Sequence, residues 1–175
     1  MPESAIIVPV PEAKPFVSQL RERFDPSARL GVPAHITVIH PFVQPDRVTE
    51  PIIAQMRRFA SEHSAFAYSL NSTGRFRDTL YLAPDPAQPF VNLVKGLVQY
   101  FPAHALYRGQ FESIVPHLTV AHGEGLPLRE LEAELSSQGF LKTGIPAYCE
   151  MLVLIENTSG LWRERDRFAL ATSVR

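Results

Sequence analysis

Apolar positions along the chain change their spacing several times, and each change predicts an element. Ala5 to Val10 is a short apolar run closed by Pro11, the pattern of a buried strand, and Phe16, Leu20 and Phe24 then recur at helical spacing. Gly31-Val32-Pro33 breaks the pattern. His35-Ile36-Thr37-Val38-Ile39 follows, rich in β-branched residues that favour a strand, and stops before Pro41. Thr49 is placed to cap a second helix, with Pro51 in its first turn and Ile52, Ile53, Met56 and Phe59 facing inward. His63 falls near that helix's end, where an imidazole suits the negative pole of the dipole, a structural use. Phe66 to Phe76 alternates, and Thr79 to Leu82 is expected to pair back on it through a turn at Arg77-Asp78.

The second half of the chain continues in the same style. Phe90, Leu93, Val94, Leu97, Val98 and Phe101 mark an amphipathic helix that ends at Pro102. A looser segment, Ala103 to Pro116, leads into His117-Leu118-Thr119-Val120-Ala121. Leu128, Leu131 and Leu135 predict another helix whose Glu130, Glu132 and Glu134 form a solvated face, and Met151 to Ile155 and Phe168 to Leu170 read as closing strands. Strands and helices thus mix without the regular alternation of a doubly wound parallel sheet. The expected class is α+β with mostly antiparallel pairing. Neither a GxGxxG nor a GxxxxGK[ST] phosphate loop occurs.

Composition narrows the picture. With 175 residues, the chain has about one domain's length and needs no disulfide or structural metal to close a core. Its 45% hydrophobic and 20% charged residues and mean hydropathy of -0.04 are those of a soluble globular protein. No apolar run approaches a membrane span. The stretch Ala5-Ile6-Ile7-Val8 lacks a preceding basic segment and a following cleavage site, so a cytoplasmic location is expected. The single cysteine, Cys149, excludes an intrachain disulfide and a cysteine-cluster zinc site, and it is expected to lie inert in a strand. Seventeen basic against eighteen acidic side chains give a net charge of -1, which disfavours a partner gripped through many phosphates. A small nucleotide or the end of an RNA fits better, with no long nucleic acid, no membrane and no second subunit required. The 16 prolines are spread along the chain and read as turn punctuation.

One feature carries chemistry: Pro33-Ala34-His35-Ile36-Thr37-Val38-Ile39-His40 matches Pro116-His117-Leu118-Thr119-Val120-Ala121-His122. Both segments read His-apolar-Thr-Val-apolar-His, both are predicted strands, and both have a proline just ahead, so an internal duplication is expected. On a strand, side chains at i and i+2 share a face. His35 therefore points with Thr37, and His117 with Thr119, while Ile36, Val38, Leu118 and Val120 point into the core. Two such strands related by an approximate two-fold place two imidazoles and two hydroxyls around one cleft. An imidazole titrates near neutral pH, so one can act as general base and the other as general acid. A threonine hydroxyl donates a hydrogen bond without adding charge, which suits a phosphate oxygen. In-line displacement at phosphorus needs this set and, on this scheme, no metal or cofactor.

Two other uses of the repeat compete on chemical grounds. As purely structural residues, two repeated buried imidazoles are a costly way to build a core. As metal ligands, His35 and His40, like His117 and His122, are expected to face opposite ways along a regular strand, with no carboxylate at chelating spacing. Phe42, Phe76, Tyr81 and Phe111 are able to stack on a base, although core packing is the expected use of each. Arg75, Arg77, Arg108 and Lys142 offer charge to phosphates, as scattered surface cations do in any soluble protein.

The two His-x-Thr motifs, 82 positions apart, resemble the paired signature of the 2H phosphoesterase superfamily, also called the 2'-5' RNA ligase-like or cyclic phosphodiesterase family. The resemblance spans nearly the whole chain. It implies a bilobal fold with two pseudo-symmetric lobes about a cleft, the whole of residues 1–175 forming one duplicated domain. It also implies metal-independent hydrolysis of RNA-type phosphodiesters: 2',3'-cyclic phosphate ends, 2'-5' linkages or small cyclic nucleotides. By position, His35 and His117 correspond to the catalytic histidines, and Thr37 and Thr119 to the phosphate-contacting hydroxyls. Some members carry Arg three residues after the second Thr, where this chain has His122, and His40 stands where an aromatic is common. The alternative function is a nucleotide or RNA-end binding module that keeps the cleft without turnover.

Overall fold

A computed structural model describes residues 1–102 and 114–172. Eight strands form one sheet: β1 (Ser4–Pro9), β2 (His35–Ile39), β3 (Phe66–Phe76), β4 (Thr79–Asp85), β5 (Leu118–His122), β6 (Ile145–Cys149), β7 (Met151–Glu156) and β8 (Arg163–Ala169). Their spatial order is β6-β3-β4-β5-β2-β1-β7-β8, and every neighbouring pair is antiparallel. The class is α+β, as the mixed pattern predicts. Among the described residues five α-helices accompany the sheet: α1 (Lys14–Phe24), the four-residue α2 (Pro26–Arg29), α3 (Glu50–Ser61), α4 (Gln88–Tyr100) and α5 (Leu128–Ser137).

One face of the sheet is covered by the helices, and the other is only partly covered. Ile6, Val8, Ile36, Val38, Leu80, Leu82, Leu118, Val120, Leu152 and Leu154 share the covered face and form one core with Val17, Leu20, Phe59, Phe90, Leu97, Leu131 and Leu135 of the helices. Helices α3 and α4 follow the predicted periodicities, α3 burying Ile53, Met56 and Phe59 and α4 burying Phe90, Leu93 and Leu97, whereas α1 buries Val17 and Leu20 and leaves the predicted Phe16 and Phe24 only partly buried. On the opposite face lies a smaller apolar cluster of Ala5, Ile7, Val32, Val153 and Ile155, with Trp162 packed against it. No helix among the described residues is long and apolar enough to cross a membrane.

Several local expectations need adjustment. Thr49 stands at the N-cap position of α3, but its side chain makes no capping bond. Glu132 is not part of a solvated face: it accepts a hydrogen bond from Thr73 and pairs with Arg75 at 3.1 Å, tying α5 to β3. Arg75 is thereby committed to structure on the covered face. Strand β6, which the apolar pattern did not single out beyond Cys149, forms because β3 offers a free edge, pairing Phe66 with Cys149 and Leu70 with Ile145. The thiol there is buried, and burial pushes it up to about 12, so it remains protonated and unreactive. His63 Nδ1 donates to the Phe59 carbonyl at 2.8 Å, satisfying an end group of α3.

The sheet contains a correction that bears on the site. Between β1 and β2 the register jumps from Ile6↔Ile39 to Ile7↔Thr37, so Val38 is an extra residue in β2. Between β4 and β5 it jumps from Leu80↔Ala121 to Tyr81↔Thr119, so Val120 is an extra residue in β5. Each bulge follows the motif threonine. Both residues after each threonine, Val38 with Ile39 and Val120 with Ala121, consequently enter the core. His40 and His122 are thrown back to the open face, not away from it. His122 Nδ1 meets the Thr79 hydroxyl at 2.8 Å, and the His40 ring meets Trp162 edge-on at 5.7 Å.

Leu80 is fully buried at the centre of β4. Leu80→Ala is expected to cost about 2–5 kcal/mol of stability by opening a cavity between sheet and helices, read as a lowered urea midpoint with an unchanged slope.

Candidate active site

The two motif strands are neighbours at the middle of the sheet, joined at the pair Ile36↔Leu118. Counting outward in an antiparallel register sets His35 opposite Thr119 and Thr37 opposite His117. Side chains at facing positions share a face, so all four stand together on the open side while Ile36 and Leu118 are buried beneath them. The approximate two-fold axis passes between Ile36 and Leu118. One step across and two along the strands separates the two histidines by about 8 Å between Cα atoms, a span that leaves room for a phosphate between the rings. All four residues that the sequence picks out are thus brought together, each half-buried.

Both imidazoles are held the same way. His35 Nδ1 donates to the Pro33 carbonyl at 2.8 Å, and His117 Nδ1 donates to the Val115 carbonyl at 2.7 Å. Each bond fixes the tautomer with a proton on Nδ1 and leaves Nε2 free of the backbone anchor. His35 Nε2 lies 3.1 Å from the Thr37 hydroxyl, which donates to it when the ring is neutral. Partial burial of the His35 ring is the largest influence on its titration and, opposed by the Pro33 bond, lowers it to about 4. Arg21 and His117 push it down further, whereas Asp25 pushes it up. His35 is therefore neutral at physiological pH.

The surroundings of the two rings differ. His117 is packed by aromatics: Phe76 lies edge-on at 5.0 Å and Tyr81 is tilted at 5.3 Å, the two being 4.6 Å apart. Core packing was the expected use of both. Instead, Phe76 is 40% exposed and Tyr81 pairs with Thr119 on the open face, so they flank the site. Gly74, opposite Tyr81 on β3, makes this possible, since a Cβ there would run into the Tyr81 ring. Phe42 does follow expectation, buried against Phe101 at 5.2 Å. Arg77 is exposed and pairs with Asp78 at 3.7 Å, and Lys142 is exposed in a 3-10 turn; nothing brings either to the histidines. Phe111 and Arg108 lie outside the described residues.

Beside His35, the sequence reading missed a buried ion pair. Arg21 Nε and Nη2 donate to Asp25 at 3.1 and 3.0 Å, with both side chains almost wholly enclosed. An Arg and an Asp four apart at a helix end are ordinary in sequence; only burial makes them notable. A cavity of about 690 Å³ adjoins this end of the site, lined by Ile7, Pro9, Arg21, Pro33, Met151 and Trp162 among others. Among the described residues, no three His, Cys, Asp or Glu side chains converge as metal ligands.

An eight-stranded antiparallel α+β fold of this kind defines a class of protein seen in solved structures. Escherichia coli LigT complexed with 3'-AMP matches with a TM-score of 0.60 and 13% identity over 97% of this chain and 99% of that one. A Thermus thermophilus protein matches with a TM-score of 0.66 and 16% identity, covering 98% and 100% of the two chains. By sequence, the profile of the 2'-5' RNA ligase superfamily matches residues 9–159, and the chain belongs to that superfamily. A Bacillus cereus (strain ATCC 10987 / NRS 248) protein, named as a candidate phosphoesterase, is 30% identical over 125 residues, 67% of each chain. A Bacillus cytotoxicus protein, similarly named, is 29% identical over 123 residues, and the match spans 66% of its length.

Gly74→Ala is expected to turn the Tyr81 ring out of its place beside His117 and to cost about 1–3 kcal/mol, as overpacking does. In urea melts of the two single variants and the double variant, Tyr81→Ala should recover most of that loss.

Proposed function

We propose that the open face over β2 and β5 is the active site of a phosphodiesterase acting on ribose phosphodiesters: 2',3'-cyclic phosphate ends, 2'-5' linkages or small cyclic nucleotides. The observation that carries this reading is the Ile36↔Leu118 pairing, which sets two imidazoles and two hydroxyls around one point on an open surface. The phosphate lies between the rings, its non-bridging oxygens accepting from the hydroxyls of Thr37 and Thr119, and the Thr37 hydrogen turns from His35 Nε2 to the phosphate and frees the lone pair there. His35, neutral with a lone pair on Nε2, is the general base. His117, with Nδ1–H donated to Val115, is the general acid when it carries a second proton on Nε2. In hydrolysis of a cyclic phosphate, Nε2 of His35 takes a proton from water as the water oxygen bonds to phosphorus. The opposite phosphorus–oxygen bond breaks, and the departing ribose oxygen takes the proton from His117.

Membership of the 2'-5' RNA ligase superfamily and the phosphoesterase names of the Bacillus relatives support the reaction class. The LigT structures with 3'-AMP, ATP and NADP+ support a small nucleotide as ligand. Phe76 and Tyr81, beside His117, suit the face of a base attached to the phosphate. The two halves of the sheet, β5-β4-β3-β6 and β2-β1-β7-β8, each begin at a motif strand, which supports reading the chain as one domain of two duplicated lobes.

His35→Ala and His117→Ala are each expected to lower kcat on a 2',3'-cyclic mononucleotide by about 10²–10⁴ while ligand binding persists. Retained turnover in both variants overturns the reading, and no turnover in the wild-type protein on any of the three substrate classes favours the binding module.

The base must be unprotonated. As pH falls, kcat/KM should therefore hold until the His35 titration and drop as pH passes through about 4. A pH–rate profile that loses its acid limb well above this value contradicts the assignment of the base. Activity should also survive EDTA.

A further inference from the structure

We propose that Arg21, locked by Asp25, is a positioning residue that makes the two repeated histidines unequal. It fixes the backbone that aims His35 and places a buried ion pair on that ring's side of the site. The proposal rests on the acid–base reading above, and it supplies what a duplicated motif cannot: a reason for two identical His-x-Thr segments to do different jobs.

The geometry is that of a clamp. Nη2 of Arg21 donates to the Val32 carbonyl at 3.1 Å as well as to Asp25, and it reaches the Ser27 hydroxyl at 3.4 Å. Asp25, the N-cap of α2, accepts from the Ser27 backbone N–H at 3.0 Å and from its hydroxyl at 2.7 Å. Carbonyl and carboxylate thus hold the guanidinium from two sides. Val32 immediately precedes Pro33, whose carbonyl takes the His35 Nδ1–H. Fixing Val32 therefore fixes the anchor of the catalytic ring. Arg21 is 5% exposed and Asp25 2%, the one pair of buried charged residues among those described. A buried ion pair gives little net stability over apolar packing, so its position one step from the His35 anchor calls for another reason.

The charged and titratable groups that act on His35 through space are Arg21 from α1, Asp25 from the α1–α2 junction and His117 from the segment leading into β5. Arg21 opposes protonation of the ring and Asp25 favours it, which makes the two substitutions distinguishable. His117 sits instead among Phe76 and Tyr81, with the same backbone anchor but a different wall.

The test is an NMR titration of the His35 ring without substrate, its signals assigned by their loss in His35→Gln. Arg21→Gln leaves the carboxylate alone near the ring, so the titration should rise above the wild-type value, although burial still holds it low. Asp25→Asn leaves the guanidinium alone, so it should fall below the wild-type value. Opposite movements support the proposal. No movement, or movement of both in one direction as simple loosening would give, overturns it. If Arg21→Gln does not fold, the sign of the Asp25→Asn shift decides alone. The acid limb of kcat/KM should follow the ring in the same variants. A ring that moves while the limb stays put shows that His35 is not the base, which separates failure of the acid–base reading from failure of the electrostatic one.

Discussion

A single backbone pairing, Ile36 with Leu118, is the constraint on which the rest of the site depends. It is the seam between two four-stranded halves of the sheet, and its two side chains are buried against the helices. Because strand side chains alternate, burying these two residues forces their neighbours on both sides to the open face. The polar residues of the site are thus held out by the same interaction that closes the core. A slip of one residue at this seam would send a histidine and a threonine into the apolar interior. The cost of burying them without partners keeps the register where the chemistry needs it.

Symmetry at the seam is then broken by what packs around it. Each imidazole donates Nδ1–H to a carbonyl two residues earlier, so the copies agree in their backbone. They differ in their walls: a buried ion pair on one side, an aromatic pair on the other. General acid–base chemistry at one phosphorus needs two groups in different protonation states, and a repeat cannot provide that difference by itself. In the proposed mechanism that difference is assigned to the surroundings, which come from α1 on one side and from the β3–β4 hairpin on the other.

The bulges show how a local pattern becomes readable once its geometry is known. Regular alternation sends His40 and His122 away from His35 and His117, yet Val38-Ile39 and Val120-Ala121 are pairs of consecutive apolar residues, a pattern regular alternation does not explain. Both members of each pair are buried because the strand carries an extra residue there. The second histidine of each motif accordingly borders the open face, where Thr79 and Trp162 hold the two rings.

The sequence by itself determined the α+β class, the strands and helices around periodic apolar residues, and the four polar residues of the repeat. All of these follow from short-range rules: period two or 3.6, turn punctuation, and the chemistry of histidine and threonine at i and i+2. Only the tertiary structure decided what those residues meet. Tyr81 and Phe76 look like core residues until Gly74 gives the Tyr81 ring a place beside His117, and Arg21 and Asp25 look like a surface pair until α2 and Val32 enclose them. Burial and partner choice are sums over contacts between segments far apart in the chain, and no local spacing contains them.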